Sequence, residues 1–265
     1  MPAKKILHYI NSLPFPLTIR HYSVFGAATA FLKDGELYSA ESWDALRMNH
    51  PHFSIAESRE EWLKAAESKI KKDGQDGAMP LRAEEISRIL NECGISSLFS
   101  VGVGGAGLEY QIKKANPDLQ MTCSDFSPNS VDTLKKVFTE CDSIRLFDMK
   151  NKDWSPALQG VSADKQLVLM NHVDIEFTNN ELREMFQNMH DSGIRNILIV
   201  CNRLTARGLL SRFVDRLIRR LKGEHFVFAG YLRTKKTFPP LWGSLYQTTE
   251  VETPLISGFL LKSKN

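Results

Sequence analysis

Short apolar runs alternate with amphipathic segments from about Ile95 onward, and this alternation predicts strands and helices in turn. Runs with few polar positions are typical of strands buried on both faces of a parallel sheet. Five such runs stand at residues 98–101, 119–123, 143–147, 166–170 and 196–201. The segments between them repeat apolar residues at helical spacing. The pattern indicates an α/β fold with helices on both faces of a mostly parallel sheet.

The second half of the pattern predicts long helices and a strand-rich end. Helices are expected at residues 108–115, 130–140, 179–191 and 206–222. In the last of these, one set of apolar side chains is expected to face the core: Leu209, Leu210, Phe213, Val214, Leu217 and Leu221. Three more strand candidates follow, at 224–233, 245–252 and 255–262. Strands that follow one another without helices between them predict antiparallel pairing at that side of the sheet.

Residues 1–94 lack this alternation and are predicted to be mainly helical. Three helical segments are expected, at 42–48, 58–71 and 80–93. Residues 33–36 are a turn candidate, and residues 72–79 form a flexible connection. The chain therefore divides into an N-terminal region, 1–94, and a main domain, 95–265. The N-terminal region is interpreted either as a structural cap or as a lid over a substrate.

Composition narrows the class of protein. The 265 residues are 42% hydrophobic and 25% charged, which predicts a folded core. A net charge of +3 is too small to indicate a nucleic-acid binder. The four cysteines form no CxxC pair, which argues against a structural zinc site or a disulfide framework and favours a cytoplasmic protein. No apolar run approaches the length of a membrane span, and prolines and an arginine interrupt the N-terminus, so no signal peptide is expected.

The stretch from Leu98 to Asp125 carries the strongest chemical signal. A strand is followed by a glycine-rich turn, a helix, a second strand and an acid, and the turn contains Gly102, Gly104, Gly105 and Gly107. Glycines allow the backbone to approach a ligand, and a carboxylate at the second strand's end can accept two ribose hydroxyls. The spacing fits both the dinucleotide pattern GxGxxG and the looser loop of proteins that bind S-adenosylmethionine (SAM). A glycine turn without a ligand also remains open.

Further motifs stand in order along the chain. They are Val-Gly-Val-Gly-Gly-Ala-Gly at 101–107, Ser-Asp-Phe-Ser at 124–127, Asp-Met at 148–149 and LVLMNHVDIEFTNNEL at 167–182. With these motifs, residues 95–265 resemble the class I SAM-dependent methyltransferases. The resemblance implies a Rossmann-like, doubly wound, mostly parallel seven-stranded sheet with an antiparallel last strand. A helical N-terminal extension is also usual in that family.

The resemblance also implies a set of cofactor contacts. The glycine loop would wrap the methionine part of SAM, the acid would hold the ribose, and the following residues would contact the adenine. The implied cofactor-binding residues are Gly102, Val103, Gly104, Gly107, Asp125, Phe126, Asp148, Met149 and Asn171. The family usually has an acid where Ser100 stands, and a serine there carries no charge.

The implied activity is methyl transfer to an oxygen or nitrogen of a small-molecule acceptor. His172 is the candidate catalytic base, since an ordinary histidine pKa of about 6.5 suits that role, although the ring is as readily explained as a packing or hydrogen-bonding group. Asp174 and Glu176 are secondary candidates. No metal is expected, because no histidine and carboxylate set of the metal-dependent type is present. The NPPY-type tetrapeptide of base-modifying enzymes is also missing, which makes nucleic acid an unlikely substrate.

Three other functions remain open. An NAD-dependent oxidoreductase would use the same glycines and Asp125. A transferase of the nicotianamine-synthase type would use another part of SAM. A non-catalytic cofactor-binding protein is favoured only by Ser100.

Two late segments have more than one interpretation. Basic residues crowd the predicted helix 206–222 and the segment after it, which would suit an acidic substrate, anionic lipid or RNA. A solvated face of an amphipathic helix is the favoured interpretation. The segment 237–246, TFPPLWGSLY, is either a substrate wall or a packed connection.

Overall fold

Two β-sheets organise the chain in the computed structural model, which describes residues 13–23, 39–49, 54–68, 78–158, 160–224 and 227–264. The strands are β1 (Thr18–Ser23), β2 (Ser97–Val101), β3 (Gln120–Asp125), β4 (Ser143–Leu146), β5 (Gln166–Asn171), β6 (Asn196–Val200), β7 (Val227–Arg233), β8 (Tyr246–Glu252) and β9 (Ser257–Ser263). The larger sheet has seven strands in the order β4-β3-β2-β5-β6-β9-β8. Strand β9 runs antiparallel to both of its neighbours. This confirms the predicted mostly parallel sheet with an antiparallel last strand.

The helices flank this sheet. They are α1 (Ala40–Asn49), α2 (Arg59–Ser68), α3 (Ala78–Glu92), α4 (Gly107–Ala115), α5 (Pro128–Val137), α6 (Asn179–Asp191), α7 (Ala206–Leu221) and α8 (Pro239–Trp242). Helix α6 has the bounds that the sequence predicts, because Thr178 and Glu181 form a reciprocal capping box at its start. Ser127 caps α5 in a similar way by accepting from the backbone N–H of Ser130.

Two apolar layers cover the sheet, one on each face. Strand β2 is buried along its whole length, with Leu98 in one layer and Phe99 in the other. Helices α2 to α5 supply the first layer, through side chains such as Trp62, Ile86, Leu108 and Val131. Helices α6 and α8 supply the second, through Phe186 and Trp242 among others. Strands buried on both faces read as unbroken apolar runs, which is why the sequence identifies them well.

Helix α7 departs from the prediction. Its bulky apolar side chains were expected to face the core, yet Leu210, Phe213, Leu217 and Leu221 are 65%, 69%, 53% and 82% exposed. No residue of α7 is buried. The reason is that other side chains cover this region of the sheet, since the rings of Phe238 and Trp242 lie 5.6 and 5.2 Å from that of Phe259 on β9. The inward orientation of helix 206–222 is therefore wrong.

The same contacts decide the role of residues 237–246. Trp242 also contacts Phe186 at a ring distance of 5.3 Å, and Phe238, Leu241 and Trp242 are all at most 3% exposed. Trp242 Nε1 donates to Thr248 Oγ1 at 2.7 Å. The segment is therefore a packed connection between β7 and β8.

The smaller sheet joins the N-terminal region to the main domain. The strand candidate 224–233 forms β7, which pairs antiparallel with β1 instead of entering the larger sheet. The N-terminal region therefore contains a strand as well as the predicted helices. The predicted turn at 33–36 and residues 72–77 of the predicted connection lie outside the described residues.

The strand order places one end of the sheet at a switch point. Strand β2 lies between β3 and β5, and all three run parallel. Their connections therefore leave in opposite directions from β2, and a crevice opens beyond the carboxyl ends of the strands. Ligands bind at this position in open α/β sheets, so the crevice is where the site should be sought.

Candidate functional site

A cavity of about 120 Å³ opens at this crevice. Five of the residues expected to bind a cofactor line it: Gly102, Gly104, Asp125, Phe126 and Met149. The rest of its lining was not predicted as cofactor-binding and consists of Trp43, Arg47, Phe147, Val173, Glu176 and Phe177. The sequence motifs thus meet at one place, although they stand up to 47 residues apart in the chain.

The glycine loop passes close to the loop that follows β5. Gly102 and Gly104 have positive φ values of 63° and 54°, which side chains other than glycine rarely adopt. A Cβ atom on Gly102 would lie 2.7 Å from Cγ1 of Val173. At Gly105, by contrast, φ is not in this region and a Cβ would meet nothing within 4 Å. The backbone therefore requires glycine at positions 102 and 104 but not at position 105.

Asp125 lies at the end of β3 with its carboxylate held by the backbone. Its side chain is only 2% exposed. One oxygen accepts from the backbone N–H of Gly104 at 3.1 Å, and the other from that of Ser127 at 3.0 Å. The guanidinium of Arg47, on α1, is 3.5 Å from the first oxygen. These contacts fix the carboxylate at the mouth of the glycine loop.

The wall beside Asp125 is apolar. It is formed by Phe126, Phe147, Met149, Val173 and Phe177. The ring of Phe147 is fixed by edge contacts with Phe99 and with Trp154, at 5.5 and 4.9 Å. The Asp125 carboxylate next to rigid apolar surface is a suitable arrangement for a ligand with a polyhydroxylated part and a flat ring.

Four expected cofactor residues lie outside the lining of this cavity. Gly107 begins α4, where a Cβ would come within 3.2 Å of the Met79 sulfur on α3. The backbone N–H of Val103 donates to the Ser124 carbonyl at 3.2 Å. Asp148 accepts from the backbone N–H of Lys150 at 2.8 Å. The contacts of Val103, Gly107 and Asp148 in the structure are thus with other parts of the chain.

Asn171, the fourth, belongs with His172 to a polar cluster around Arg82. The guanidinium Nη2 of Arg82, on α3, donates to Oδ1 of Asn171 and to Nε2 of His172, both at 2.8 Å. Because Nε2 accepts, the ring proton belongs on Nδ1. That Nδ1 is buried and has no partner at hydrogen-bond distance among the residues described, although the side chain of Asn202 lies close enough to raise the pKa of His172. An unpaired buried donor of this kind is costly unless a ligand supplies the acceptor.

The backbone and the charge of His172 are both unusual. Its φ of 59° places a residue other than glycine in the left-handed region, at the end of β5. Burial, and then the neighbouring Arg82 charge, lower the pKa of His172 to about 4. The imidazole is therefore neutral at physiological pH, and it is a weaker base than an ordinary histidine.

A buried carboxyl group lies next to Ser100. The Ser100 hydroxyl donates to Oε1 of Glu109, on α4, at 2.8 Å. Ser100 is fully buried and Glu109 is 3% exposed. Burial raises the pKa of Glu109. Glu109 belongs to none of the motifs named above, although a glutamate amid the apolar residues of the helix that follows a glycine loop is a detectable signal.

The two secondary acids have different surroundings. Glu176 lines the cavity, where burial, and then the Asp125 charge, raise its pKa to about 8. Its carboxyl group is therefore mainly protonated at pH 7 and can donate a hydrogen bond. Asp174 is fully buried outside the cavity lining, and burial raises its pKa to about 7. It accepts from the backbone N–H of Asn202 at 3.2 Å, which is a structural contact.

The described residues were compared with the ligand groups that bind metal ions and with the helices that span membranes. Within the described ranges, no three histidine, cysteine, aspartate or glutamate side chains are grouped so that they could hold a metal ion. In the same part of the chain, no helix combines the length and the apolar character needed to cross a bilayer.

Comparisons with known proteins show which solved structures have a similar fold. No protein-family model matches the sequence, and no curated protein is significantly similar to it. Among solved structures, human N-acetylserotonin methyltransferase in complex with SAM matches with a TM-score of 0.55 and 14% identity. That match covers 90% of this chain, and this chain spans 65% of the human one.

A second solved structure matches over nearly its whole length. Magnesium protoporphyrin IX methyltransferase from Synechocystis PCC 6803, with bound SAM, has a TM-score of 0.50 and 12% identity. The match covers 88% of this chain and 98% of that one. The chain therefore has the fold of the class I SAM-dependent methyltransferases.

Proposed function

We propose that this protein is a SAM-dependent methyltransferase that acts on an oxygen or nitrogen of a small-molecule acceptor. The observation that carries the proposal is the Asp125 carboxylate, held by the Gly104 N–H beside an apolar wall. The two neighbours described above are methyltransferases whose structures contain SAM. Both bind SAM in a fold that this chain shares.

The lining residues fit the parts of SAM. Asp125 would accept the two ribose hydroxyls, and Phe126 and Met149 would pack against the adenine. Gly102 and Gly104 would allow the loop backbone to approach the methionine part. Val103, Gly107, Asp148 and Asn171 remain expected contacts under the resemblance. When bound, SAM supplies an activated methyl group on a sulfonium, so alignment is the main task left to the protein.

His172 is best suited to positioning the acceptor. With a pKa of about 4 it is a weak base at neutral pH. Its Nδ1–H has no partner among the described residues, and it would donate to the acceptor or the cofactor. Arg82 fixes the tautomer and the ring orientation through Nε2. A neutral ring adds no further positive charge to that of the neighbouring Arg82, which suits a site that would hold a sulfonium.

The other open functions have less support. The one residue that favoured a non-catalytic protein was Ser100, and Glu109 supplies a carboxyl group at that place. No feature of the cavity favours NAD over SAM or the transfer of another part of SAM.

Calorimetry with SAM, S-adenosylhomocysteine and NAD tests the proposal. We expect the first two to bind and NAD not to bind. Asp125→Ala should weaken SAM binding by at least about a hundredfold, because two charge-assisted hydrogen bonds are lost. Since Asp125 also holds Gly104 and Ser127, Asp125→Asn is measured beside it, with thermal unfolding of both variants.

Asp132→Ala is the matched control, since Asp132 is an exposed aspartate on α5. Binding of NAD alone would overturn the proposal. Unchanged SAM affinity in a folded Asp125→Ala protein would mean that the cofactor lies elsewhere.

A further inference from the structure

Helix α7 presents a bulky apolar face to solvent. Its exposed members are Leu210, Phe213, Val214, Leu217, Ile218 and Leu221, each between 46% and 82% exposed. In a helical projection with 100° per residue, these side chains occupy one continuous side. A contiguous apolar surface of this kind marks an interaction site more often than a random surface does.

The same helix concentrates positive charge. Residues 206–222 contain six basic residues and one acidic residue, Asp215. The segment therefore has a net charge of +5, while the whole chain has +3. The rest of the protein is slightly acidic, so the positive field is localised at α7. Such a field favours an anionic partner.

A basic groove continues this surface. A cavity of about 490 Å³ lies between α7 and β1, and Arg20, Arg212 and Arg216 line it, together with Asp215. Aromatic rings hold two of the three guanidinium groups. Arg20 lies 4.7 Å from the centre of the Phe228 ring, and Arg216 lies 5.0 Å from that of Tyr22. The third, Arg212, contacts the imidazole of His21 at 2.7 Å. The planar N–H donors of a guanidinium match the geometry of a phosphate.

We propose that α7 and the adjoining groove form a docking surface for an anionic lipid membrane. The apolar side of α7 enters the boundary between headgroups and acyl chains, and the arginines bind lipid phosphates. A helix with bulky apolar residues on one side and many basic residues on the other is suited to lying in the plane of the interface. At 16 residues and with this charge, α7 lies on the membrane and does not span it.

Two other partners, a second copy of the chain and an RNA, fit this surface less well. A second copy of the chain on the same face would bring two segments of +5 together in a symmetric contact. RNA would satisfy the arginines but leave the leucines and Phe213 in water. A membrane that contains anionic lipid matches both sides of the helix.

Vesicle co-sedimentation of the full chain tests this assignment. The vesicles are phosphatidylcholine alone, or phosphatidylcholine with about one third phosphatidylglycerol. We expect binding to the anionic vesicles to exceed binding to the neutral ones by at least about tenfold. Phe213→Ser with Leu217→Ser should reduce it at least about tenfold, and so should Arg207→Glu with Arg220→Glu, since all four residues are exposed.

Controls carry matched changes elsewhere on the surface. Leu146→Ser removes a 58% exposed leucine on β4, and Lys135→Glu with Lys136→Glu reverses two exposed charges on α5. Both control proteins should bind vesicles like the unchanged protein. Circular dichroism confirms that each variant is folded.

Three results would overturn the assignment. The first is no vesicle binding, or binding that ignores lipid charge. The second is a dimer in light scattering that Phe213→Ser with Leu217→Ser dissociates, without vesicle binding. The third is binding of a short RNA, lost in the arginine variant, without vesicle binding. SAM calorimetry on the same samples keeps this outcome separate from that of the proposed methyltransferase function.

Discussion

At the scale of single residues, the Ser100–Glu109 pair brings a carboxyl group from nine residues further along the chain to the place where the family pattern expects an acid. The serine stands in the strand, and the carboxyl group comes from the first turns of the next helix. Both side chains are buried, so the geometry of the pair is fixed by packing. The pair therefore places a carboxyl group beside Ser100, behind the lining of the cavity.

The first prediction concerns this acid. Burial raises the pKa of Glu109, and under the proposed function the ammonium of SAM would favour its ionised form. Glu109→Gln should therefore weaken SAM binding about tenfold, because the amide keeps the shape and the Ser100 hydrogen bond but cannot ionise. Isothermal calorimetry measures the effect, with Glu85→Gln on the outer side of α3 as the control. Equal SAM affinities of Glu109→Gln and the unchanged protein would show that Glu109 does not take part in SAM binding.

The second prediction concerns His172 and pH. Its folded-state pKa of about 4 lies below the ordinary value of 6.5, so the unfolded chain binds a proton more readily. The stability present above pH 6.5 is therefore lost as the pH falls toward 4. Over this pH range, the His172→Asn variant should lose about 2 kcal/mol less of its free energy of unfolding than the unchanged protein. Asparagine is chosen because it tolerates the left-handed backbone.

Urea unfolding at a series of pH values checks the His172 prediction. His190→Asn, on the helix α6, is the control. Parallel curves for His172→Asn and the unchanged protein would show that His172 titrates normally.

At the scale of elements, the sequence predicts the strands of the larger sheet and helix α6 well, and helix α7 poorly. Buried strands have an unmistakable apolar pattern, and α6 has a capping box in its sequence. Periodicity shows that α7 has an apolar side but does not say what that side contacts. Here Phe238 and Trp242 cover the sheet instead.

Some residues of the candidate site could likewise be predicted from the sequence, and others could not. Motifs at strand ends are local, so the sequence could predict that Gly102, Gly104 and Asp125 lie at one place, and all three line the same cavity. Arg47 and Arg82 come from α1 and α3, whose docking depends on contacts distant in sequence. The low pKa of His172 also depends on Arg82, which is why the sequence suggested a base of ordinary strength.

The third prediction concerns the glycine loop. Gly102→Ala should lower the stability by about 1–3 kcal/mol and weaken SAM binding, because it combines a left-handed backbone with a clash against Val173. Gly105→Ala, three residues along, has neither problem and should behave like the unchanged protein. Thermal unfolding and calorimetry on the pair check this. Equal losses in both variants would show that the loop differs from the structure.

At the scale of the whole molecule, one buried arginine connects the two sheets. Arg233, at the end of β7, is fully buried and donates to the carbonyls of Asp174 and Phe177 and to Oδ1 of Asn179. Its partners all lie between β5 and the start of α6. The small sheet formed by β1 and β7 is thus tied to the loop that carries Glu176.

The fourth prediction follows from this connection. Arg233→Met should lower the free energy of unfolding by about 3–5 kcal/mol, because it removes the buried charged donor of two buried carbonyls and of the half-buried Asn179 Oδ1. Urea denaturation measures it, and Arg145→Met, at an exposed position on β4, is the control. A loss below about 1 kcal/mol would show that the two sheets are held together by other contacts.

The contact between Arg47 and Asp125 has a consequence for any ligand of this site. The guanidinium lies 3.5 Å from the carboxylate that a ribose would need. An incoming diol therefore competes with a group of the protein itself, and the observed affinity is the intrinsic affinity multiplied by the fraction of molecules in which Arg47 has withdrawn. Because the side chains of Arg47 and Asp125 are only 14% and 2% exposed, added salt screens this ion pair little. The fraction of molecules open to a ligand is therefore set by the protein's own contacts and should vary little with ionic strength.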